Sequence, residues 1–594
     1  MIVHVGNHGS PDCNVDTPQQ ALALLRKATG EKRMIIHNGV YNGVCLHLTE
    51  EDSGLIMEGD PQGRTVLSGG IPVADWSVDS KTGWFYTDVP EQENGADNYR
   101  LLISGTGNYL KKARYPLEGT LMHRTVYDWT KWRGSCFGGW GRLLRRDEVD
   151  HFEYDPKDFT DSFDYQNAEV QIYHSWNESY TCLTRMDRDN HLFYVEPLCG
   201  HPPGSFHRSE YVVYNTVEGM AEDGRWYYNK KEKRIYYRPF AGETAETFSA
   251  VIPMVTTVID LAEGCHDITI RNLDVTCATT GIATELFSMQ VMRGAGGFLA
   301  MEQTSAIDGK NVSNIHIDGV RVYQSGGNGI RLFGDRVFVR NSQVSHCGAS
   351  GIAVKLETGI PENCPEETLS AWPCIENCRV DHIGLDYYSA AGIFTQNCIV
   401  RNNHIENTSY SGIVAYGDNL LIEGNIVLDP MRKLVDGAAI YKLLDKHGII
   451  RNNYVHRRYH HDGRNLCVGI YLDAPEAGFT VCGNVIKGFV HGFNNHVGQP
   501  GVVFANNYIE NDGDLLLAMI RTKGTHLINN MIKATGEITI MAEGEAIEEF
   551  RGNVIRHGGS AVTYNQTENG GYDIIASFAY APDDTNSIEV LCSC

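Results

Sequence analysis

One pattern constrains this chain more than any other feature. From about residue 265 to 560 a β-branched strand, an Asn-containing turn and a second strand return roughly every twenty to thirty residues. The units read ITIRNLDV (268–275), VFVRNSQV (337–344), CIVRNNHI (398–405), LLIEGNIV (420–427), GIIRNNYV (448–455), FTVCGNVI (479–486), VVFANNYI (502–509) and EEFRGNVI (548–555). Apolar and polar residues alternate inside each unit, and Asn or Gly returns to the same internal place, so each unit reads as one coil of a parallel β-solenoid. A single coil cannot enclose a core. Stacked coils can, because inward Ile, Val and Leu pack rung on rung while the Asn amides stack as a ladder at the turns. The expected fold is all-β: a right-handed parallel β-helix carrying an inserted antiparallel β-sandwich.

At 594 residues with 42% apolar content the chain has material for one long core and a second module. The formal charge of −24 argues against nucleic acid, anionic lipid or a polyanionic polysaccharide as the main partner and favours a neutral substrate. The polar outer faces of a solenoid also account for that charge with no functional meaning. No stretch approaches the ~20 apolar residues of a membrane helix, and MIVHVGNHGS lacks a basic region followed by an apolar one. The expectation is a cytoplasmic protein, or a secreted or periplasmic one if a signal was removed. Sixteen cysteines occur, but Cys378, Cys398, Cys467 and Cys482 sit singly in rungs where Val or Ile would serve, which points to buried free thiols in a reducing compartment. No His/Cys cluster has zinc spacing, and no metal or cofactor is expected.

Four segments are expected. Residues 1–77 form a cap and the first rungs: in DTPQQALALLRKATG, Asp16 or Thr17 can cap a helix with Pro18 in its first turn and Gly30 at its end. Residues 78–250 lose the Asn repeat and become aromatic-rich, with short strand-like runs such as GWFYTDV, EVQIYHSW and RIYYRPF, which is the inserted sandwich. Residues 251–560 are the β-helix proper, with the active-site groove, and 561–594 a C-terminal cap. In YDWTKWRGSCFGGWGR, Trp129, Trp132 and Trp140 suit a sugar-stacking platform or, equally, the seam between sandwich and solenoid.

Several stretches carry a resemblance: IVHVGNHGSPDCNVDTPQQAL at the start, NGVY before the sandwich, KKARYP (111–116), YVVYNTVEGMAEDGRWYYNKKEKRIYYRP (211–239), DGAAIY (436–441) and GIYLD (469–473). Together they resemble sandwich-inserted β-helix glycoside hydrolases, nearest to glycoside hydrolase family 141 and more distantly family 120. The resemblance implies hydrolysis of a glycosidic bond, with α-L-fucosidase-like or xylosidase-like activity, and carries the two catalytic carboxylates onto Asp436 and Asp473.

The residues themselves place a site independently. Aligning rungs on the Gly or Ala before each apolar pair, in GIAVKLE, GIFTQNC, GIVAYGD, AIYKLLD, GIYLDAP and GFNNHVG, sets Lys355, Gln396, Tyr416, Leu443, Asp473 and His496 in one outer column, about 4.8 Å apart. Glu357, Asp418 and Asp445 lie two places further on. Glycoside hydrolysis needs one carboxyl to protonate the leaving oxygen and one as nucleophile or base; Asp436 is expected as the acid and Asp473 as the other. Asp436 falls seven columns before Asp473, some ~20 Å along a straight strand, so the strand must bend or Asp445 is the better partner. Tyr441, Tyr471, His461 and His496 are candidate substrate contacts, and the long connection ETGIPENCPEETLSAWP (357–373) reads as a wall with Trp372 as a stacking residue. Sandwich and loops walling a groove favour removal of a terminal sugar from an oligosaccharide or glycan.

Two other functions fit the same fold. A polysaccharide lyase or uronate epimerase would need a basic groove, for which Lys355, Arg432, Lys433, Lys442, Arg457 and Arg458 are the available cations. A non-catalytic carbohydrate-binding solenoid would show short, regular turns throughout.

Overall fold

The computed structural model describes residues 1–6, 13–90, 101–128, 144–280, 303–356, 372–443, 447–459, 466–473, 478–498, 500–543 and 545–559, and the backbone of Ala561–Gln566 and Tyr572–Phe578. A right-handed parallel β-helix runs through most of them. Each full coil lays one strand on each of three walls. One coil contributes His404–Thr408, Ile413–Tyr416 and Leu420–Glu423, and the next repeats them as Ile426–Leu428, Asp436–Leu443 and Gly448–Arg451. These pair in parallel, rung on rung. Inward Ile413, Ile440 and Ile470 stack in one buried row.

The corners explain the Asn repeat. The first residue of each Asn-Asn or Gly-Asn pair is left-handed: Asn402, Asn452 and Asn506 have φ of 56°, Gly424 and Gly483 of 64°. Gly and Asn tolerate that conformation best. The second residue is an Asn, buried in every rung but the last. Asn403, Asn425, Asn453, Asn484, Asn507, Asn530 and Asn553 form an unbroken ladder, each Nδ2 donating to the next Oδ1 at 2.9–3.1 Å. The same oxygens accept a backbone N–H, and Nδ2 also reaches a carbonyl of the preceding coil. Every polar atom of a buried amide is thereby satisfied, which makes a polar column compatible with a dry interior.

The N-terminal end is closed by the helix Pro18–Leu25, capped by Thr17 with Gln20 closing the capping box. Its buried face, Ala21, Leu22 and Leu25, joins the solenoid core. The helix stops at Leu25, short of Gly30.

The interruption consists of two sheets between Gly70–Val73 and Ala250–Pro253. All described pairs in them are antiparallel except Tyr109–Lys112 with Arg225–Asn229. The sheets do not share one core. Trp76, Phe85, Trp226 and Tyr237 fill one cluster, and Phe152, Phe193, Tyr211 and Val213 the other. The second sheet docks on the solenoid: Gln171 Nε2 donates to the Asp386 carbonyl at 2.9 Å, Tyr214 and Tyr388 share a hydroxyl–hydroxyl bond of 2.9 Å, and the Val435 N–H donates to the Ser175 carbonyl at 3.2 Å. Trp129, Trp132 and Trp140 lie outside the described residues. The four rung cysteines are free and buried.

Candidate active site

The wall formed by Ile352–Lys355, Ile393–Gln396, Ile413–Tyr416, Asp436–Leu443, Leu466–Asp473 and His491–His496 presents two outward columns. In one, Lys355, Gln396 and Tyr416 stack in register, as do Leu443, Asp473 and His496. In the other, Phe394, Val414, Tyr441, Tyr471 and Asn494 follow one another. Alternation along each strand sends both columns to the same face.

Chemistry concentrates where the columns carry Tyr441, Tyr471, Asp473 and His496. Tyr441 Oη donates to Asp473 Oδ2 at 2.7 Å, and His496 Nδ1 lies 2.9 Å from Asp473 Oδ1. Tyr471 Oη reaches the same imidazole nitrogen at 3.4 Å, and its ring meets that of Tyr441 edge-on at 5.2 Å. Both carboxylate oxygens of Asp473 are therefore held, one by a hydroxyl and one by a histidine. Burial, and then the Asp473 charge, hold both tyrosine hydroxyls well above their ordinary range, so they remain donors.

Asp436 stands opposite Leu466, seven residues before the Leu443–Asp473 pair. The ladder skips Ala439 and Gly469, and the strand turns a corner there. The ~20 Å separation of a straight strand does not hold, because the Asp473 charge acts on Asp436. Part of Asp436 still reaches solvent, yet protein surrounds the carboxyl. Burial, then the Asp473 charge, push it up to about 7, with His496 opposing. A carboxyl biased toward its protonated form thus feels a second carboxyl that is held by hydrogen bonds.

Two contributors were not legible in the sequence. Tyr410 is fully buried, and its hydroxyl lies where both Asp436 and Asp473 act on it. The hairpin joining Glu169–Tyr173 to Glu178–Asp187 brings Ser175 against Val435, the neighbour of Asp436, so the inserted sheet helps hold this stretch. EVQIYHSWNESYTCL announces a hairpin by its two strand-like runs around a polar turn. Nothing in it announces what the tip touches.

The remaining candidates separate by distance. Tyr416 is two rungs from Asp473, about 10 Å, Gln396 about 14 Å and Lys355 about 19 Å, too far for the same sugar ring. Tyr416 meets Phe394 edge-on at 5.2 Å, and Lys355 lies 5.9 Å over the Phe333 ring. Trp372 packs with Phe338, Cys374, Ile399 and Leu421, an apolar column on the next wall rather than beside Asp473. Lys442 points into the solenoid, where its ammonium lies 5.1 Å over Phe479. Asp445, Glu357, His461 and Trp132 lie outside the described residues.

Comparison with known proteins agrees on architecture. Residues 305–509 match the family model described as "Right handed beta helix region". No curated protein matches. A solved structure named "Glycoside hydrolase" superposes with a TM-score of 0.63 at 15% identity, covering 94% of this chain and 96% of its own. Also similar are "The complex structure of XylC with xylose" (TM-score 0.43, 10% identity, 94% and 86% covered) and the surface adhesin PfbA of Streptococcus pneumoniae (TM-score 0.25, 13% identity, 54% and 78% covered). At these identities the likeness is one of fold.

Proposed function

We propose that this protein is a glycoside hydrolase that removes a terminal sugar from an oligosaccharide or glycan, of α-L-fucosidase-like or xylosidase-like type, with Asp436 as proton donor and Asp473 as nucleophile or base. One observation carries the reading: two carboxyls lie within electrostatic reach of each other, one pushed up to about 7 and the other held by Tyr441 and His496. The glycosidic oxygen of a sugar or alkyl leaving group must be protonated as the bond breaks, and an acid with a pKa near the working pH supplies that proton most effectively. The opposite carboxyl supports the positive charge that develops at the anomeric carbon, either by bonding to it or by taking a proton from the attacking water. Tyr441 and His496 fix its direction so that little reorganisation is needed during reaction. The inserted hairpin meets the solenoid at Val435, next to Asp436, and a module at that place favours a chain end over the middle of a polymer.

The test is release of sugar from a panel of aryl glycosides (α-L-fucoside, β-xyloside, α- and β-galactoside, α-L-arabinoside) by the wild-type chain, Asp436→Asn and Asp473→Asn. Release from one glycoside, lost in Asp473→Asn and reduced in Asp436→Asn, supports the proposal. Turnover that persists in both variants, or absorbance at 235 nm on a uronate polymer with no release from the panel, refutes it.

A further inference from the structure

Asparagine serves this solenoid in two ways. In the corner ladder the amides of Asn484 and Asn507 are satisfied on both sides. Asn494, between them in sequence, is not. It follows Tyr471 in the outward column of Phe394, Val414, Tyr441 and Tyr471, which Ala518 continues, and it is the one amide among them. Its neighbours in the strand point the other way: Phe493 stacks on Phe504 at 4.1 Å inside the solenoid, and Asn495 Nδ2 donates to Thr522 and Thr525 at 3.1 and 2.9 Å. Alternation therefore directs Asn494 and His496 to the face that carries Asp473.

Asn494 is only 6% exposed. Its Oδ1 is shut off from solvent and makes no hydrogen bond; Nδ2 makes none among the described residues either, yet keeps contact with solvent. His491, one rung beyond Val468 in the same strand as Asn494, lies beside the amide. Burial lowers its imidazole, and Asn494 opposes this as a hydrogen-bonding neighbour, although neither His491 Nδ1 nor Asn494 Oδ1 completes a bond. The oxygen is thus turned to a buried imidazole and the donor is left at the surface of the site. A nearly buried amide with an unspent donor costs stability, and folded proteins keep few such groups without a functional reason.

Asn494 stands one rung and two residues from Asp473, about 8 Å between Cα atoms. Tyr441 and His496 spend their bonds on Asp473 itself. Nδ2 remains for the molecule on which Asp473 acts. We infer that Asn494 sets substrate specificity, its Nδ2 donating to the 2-hydroxyl oxygen of the sugar cleaved beside Asp473. An anomeric carbon has two ring neighbours, the ring oxygen and C2. A donor at the ring oxygen would oppose the positive charge that builds there. At C2 it has the opposite effect: with the oxygen accepting from Nδ2, the hydroxyl's own proton turns to the Asp473 carboxylate, in a bond that strengthens as the transition state forms. The inference rests on the glycosidase reading and narrows the substrate to sugars with a free 2-hydroxyl, excluding 2-deoxy and 2-acetamido sugars.

The experiment measures kcat/KM of the full-length wild type, Asn494→Ala and Asn494→Ser on the dinitrophenyl form of each panel glycoside that the wild type hydrolyses and on its 2-deoxy analogue, after subtraction of uncatalysed release, with a thermal melt of each protein. The dinitrophenyl group keeps turnover measurable once the hydroxyl is gone. Asn494→Ala is expected to lose at least about tenfold on the parent glycoside and less than about twofold on the 2-deoxy analogue, because a contact to the 2-hydroxyl cannot be lost twice. Asn494→Ser, whose side chain is shorter, is expected to give the same pattern. Both should melt close to the wild type, since no hydrogen bond of the described fold goes with the amide. Equal losses on the two substrates would mark a structural role and overturn this inference alone, as would an unchanged kcat/KM on the parent glycoside. If the wild type hydrolyses no panel glycoside, the glycosidase reading fails and this inference falls with it.

Discussion

Replacing Asp436 by Asn removes a carboxyl whose protonation the fold itself biases, and the sign of the effect on stability follows from linkage. A carboxyl raised in the folded state from its usual 3.8 to about 7 binds its proton more tightly folded than unfolded. Its contribution to stability is fully present below pH ~4, falls as pH rises from ~4 to ~7, and is lost above that. At 1.36 kcal/mol per pH unit the span is worth about 4 kcal/mol, an upper bound because part of Asp436 reaches solvent. Asn cannot ionise and escapes the loss. Unfolding entropy of about 2.1 cal/mol/K per residue means that 4 kcal/mol moves the melting temperature of a 594-residue chain by about 3 °C. Melting both proteins by scanning calorimetry at pH 4, 5.5, 7 and 8.5 should show the variant gaining on the wild type with each step up to about pH 7, then holding that lead. A difference independent of pH would show that Asp436 titrates as an ordinary surface carboxylate, and the case for it as the acid would fail.

Three further outcomes are expected. Tyr441→Phe and His496→Ala each remove one bond to the Asp473 carboxylate, worth about 1.5–3 kcal/mol, so kcat/KM should fall roughly 10- to 150-fold in steady-state assays while the melting temperature changes little. Asn453→Ala takes the acceptor away from the Asn425 backbone N–H and one Nδ2 bond away at mid-ladder, while Asn484 keeps the residue-453 N–H; a cost of about 2–4 kcal/mol should lower the calorimetric melting temperature by about 2–3 °C, and Asn453→Asp should not restore it. Glu178, buried at the sandwich seam and pushed up to about 8 mainly by burial, destabilises the fold as pH rises from ~4.5 through ~8. Glu178→Gln should therefore melt above wild type at pH 9 and level with it at pH 4.

The parts legible in the sequence were those with a period. Asn at every second corner position foretold the ladder, because only a self-satisfying amide column explains a polar residue recurring inside an apolar repeat. Counting from the Gly or Ala of each rung gave the register of Lys355 with Gln396 and of Leu443 with Asp473, since a parallel ladder preserves such counts. What the count misses is where a strand bends. Asp436 and Asp473 looked far apart because linear spacing was read as linear distance, and the corner at Ala439 and Gly469 carries no residue that a straight strand would refuse. Contacts between modules were equally hidden: Ser175 against Val435 joins positions 260 residues apart with no pattern linking them. Trp372, an aromatic at the end of a long connection, suggested a sugar platform, but an outward apolar column of Phe338, Cys374, Ile399 and Leu421 on the neighbouring wall captures it.

The division of labour between the two carboxyls is tested most directly by varying the leaving group. A dinitrophenyl glycoside departs without protonation, whereas a methyl glycoside of the same sugar must receive a proton. Asp436→Asn should keep kcat/KM on the dinitrophenyl glycoside within about tenfold of wild type while losing at least about a hundredfold on the methyl glycoside, and Asp473→Asn should lose both. Equal losses on the two substrates in Asp436→Asn, or a selective loss in Asp473→Asn instead, would contradict the assignment of Asp436 as the acid.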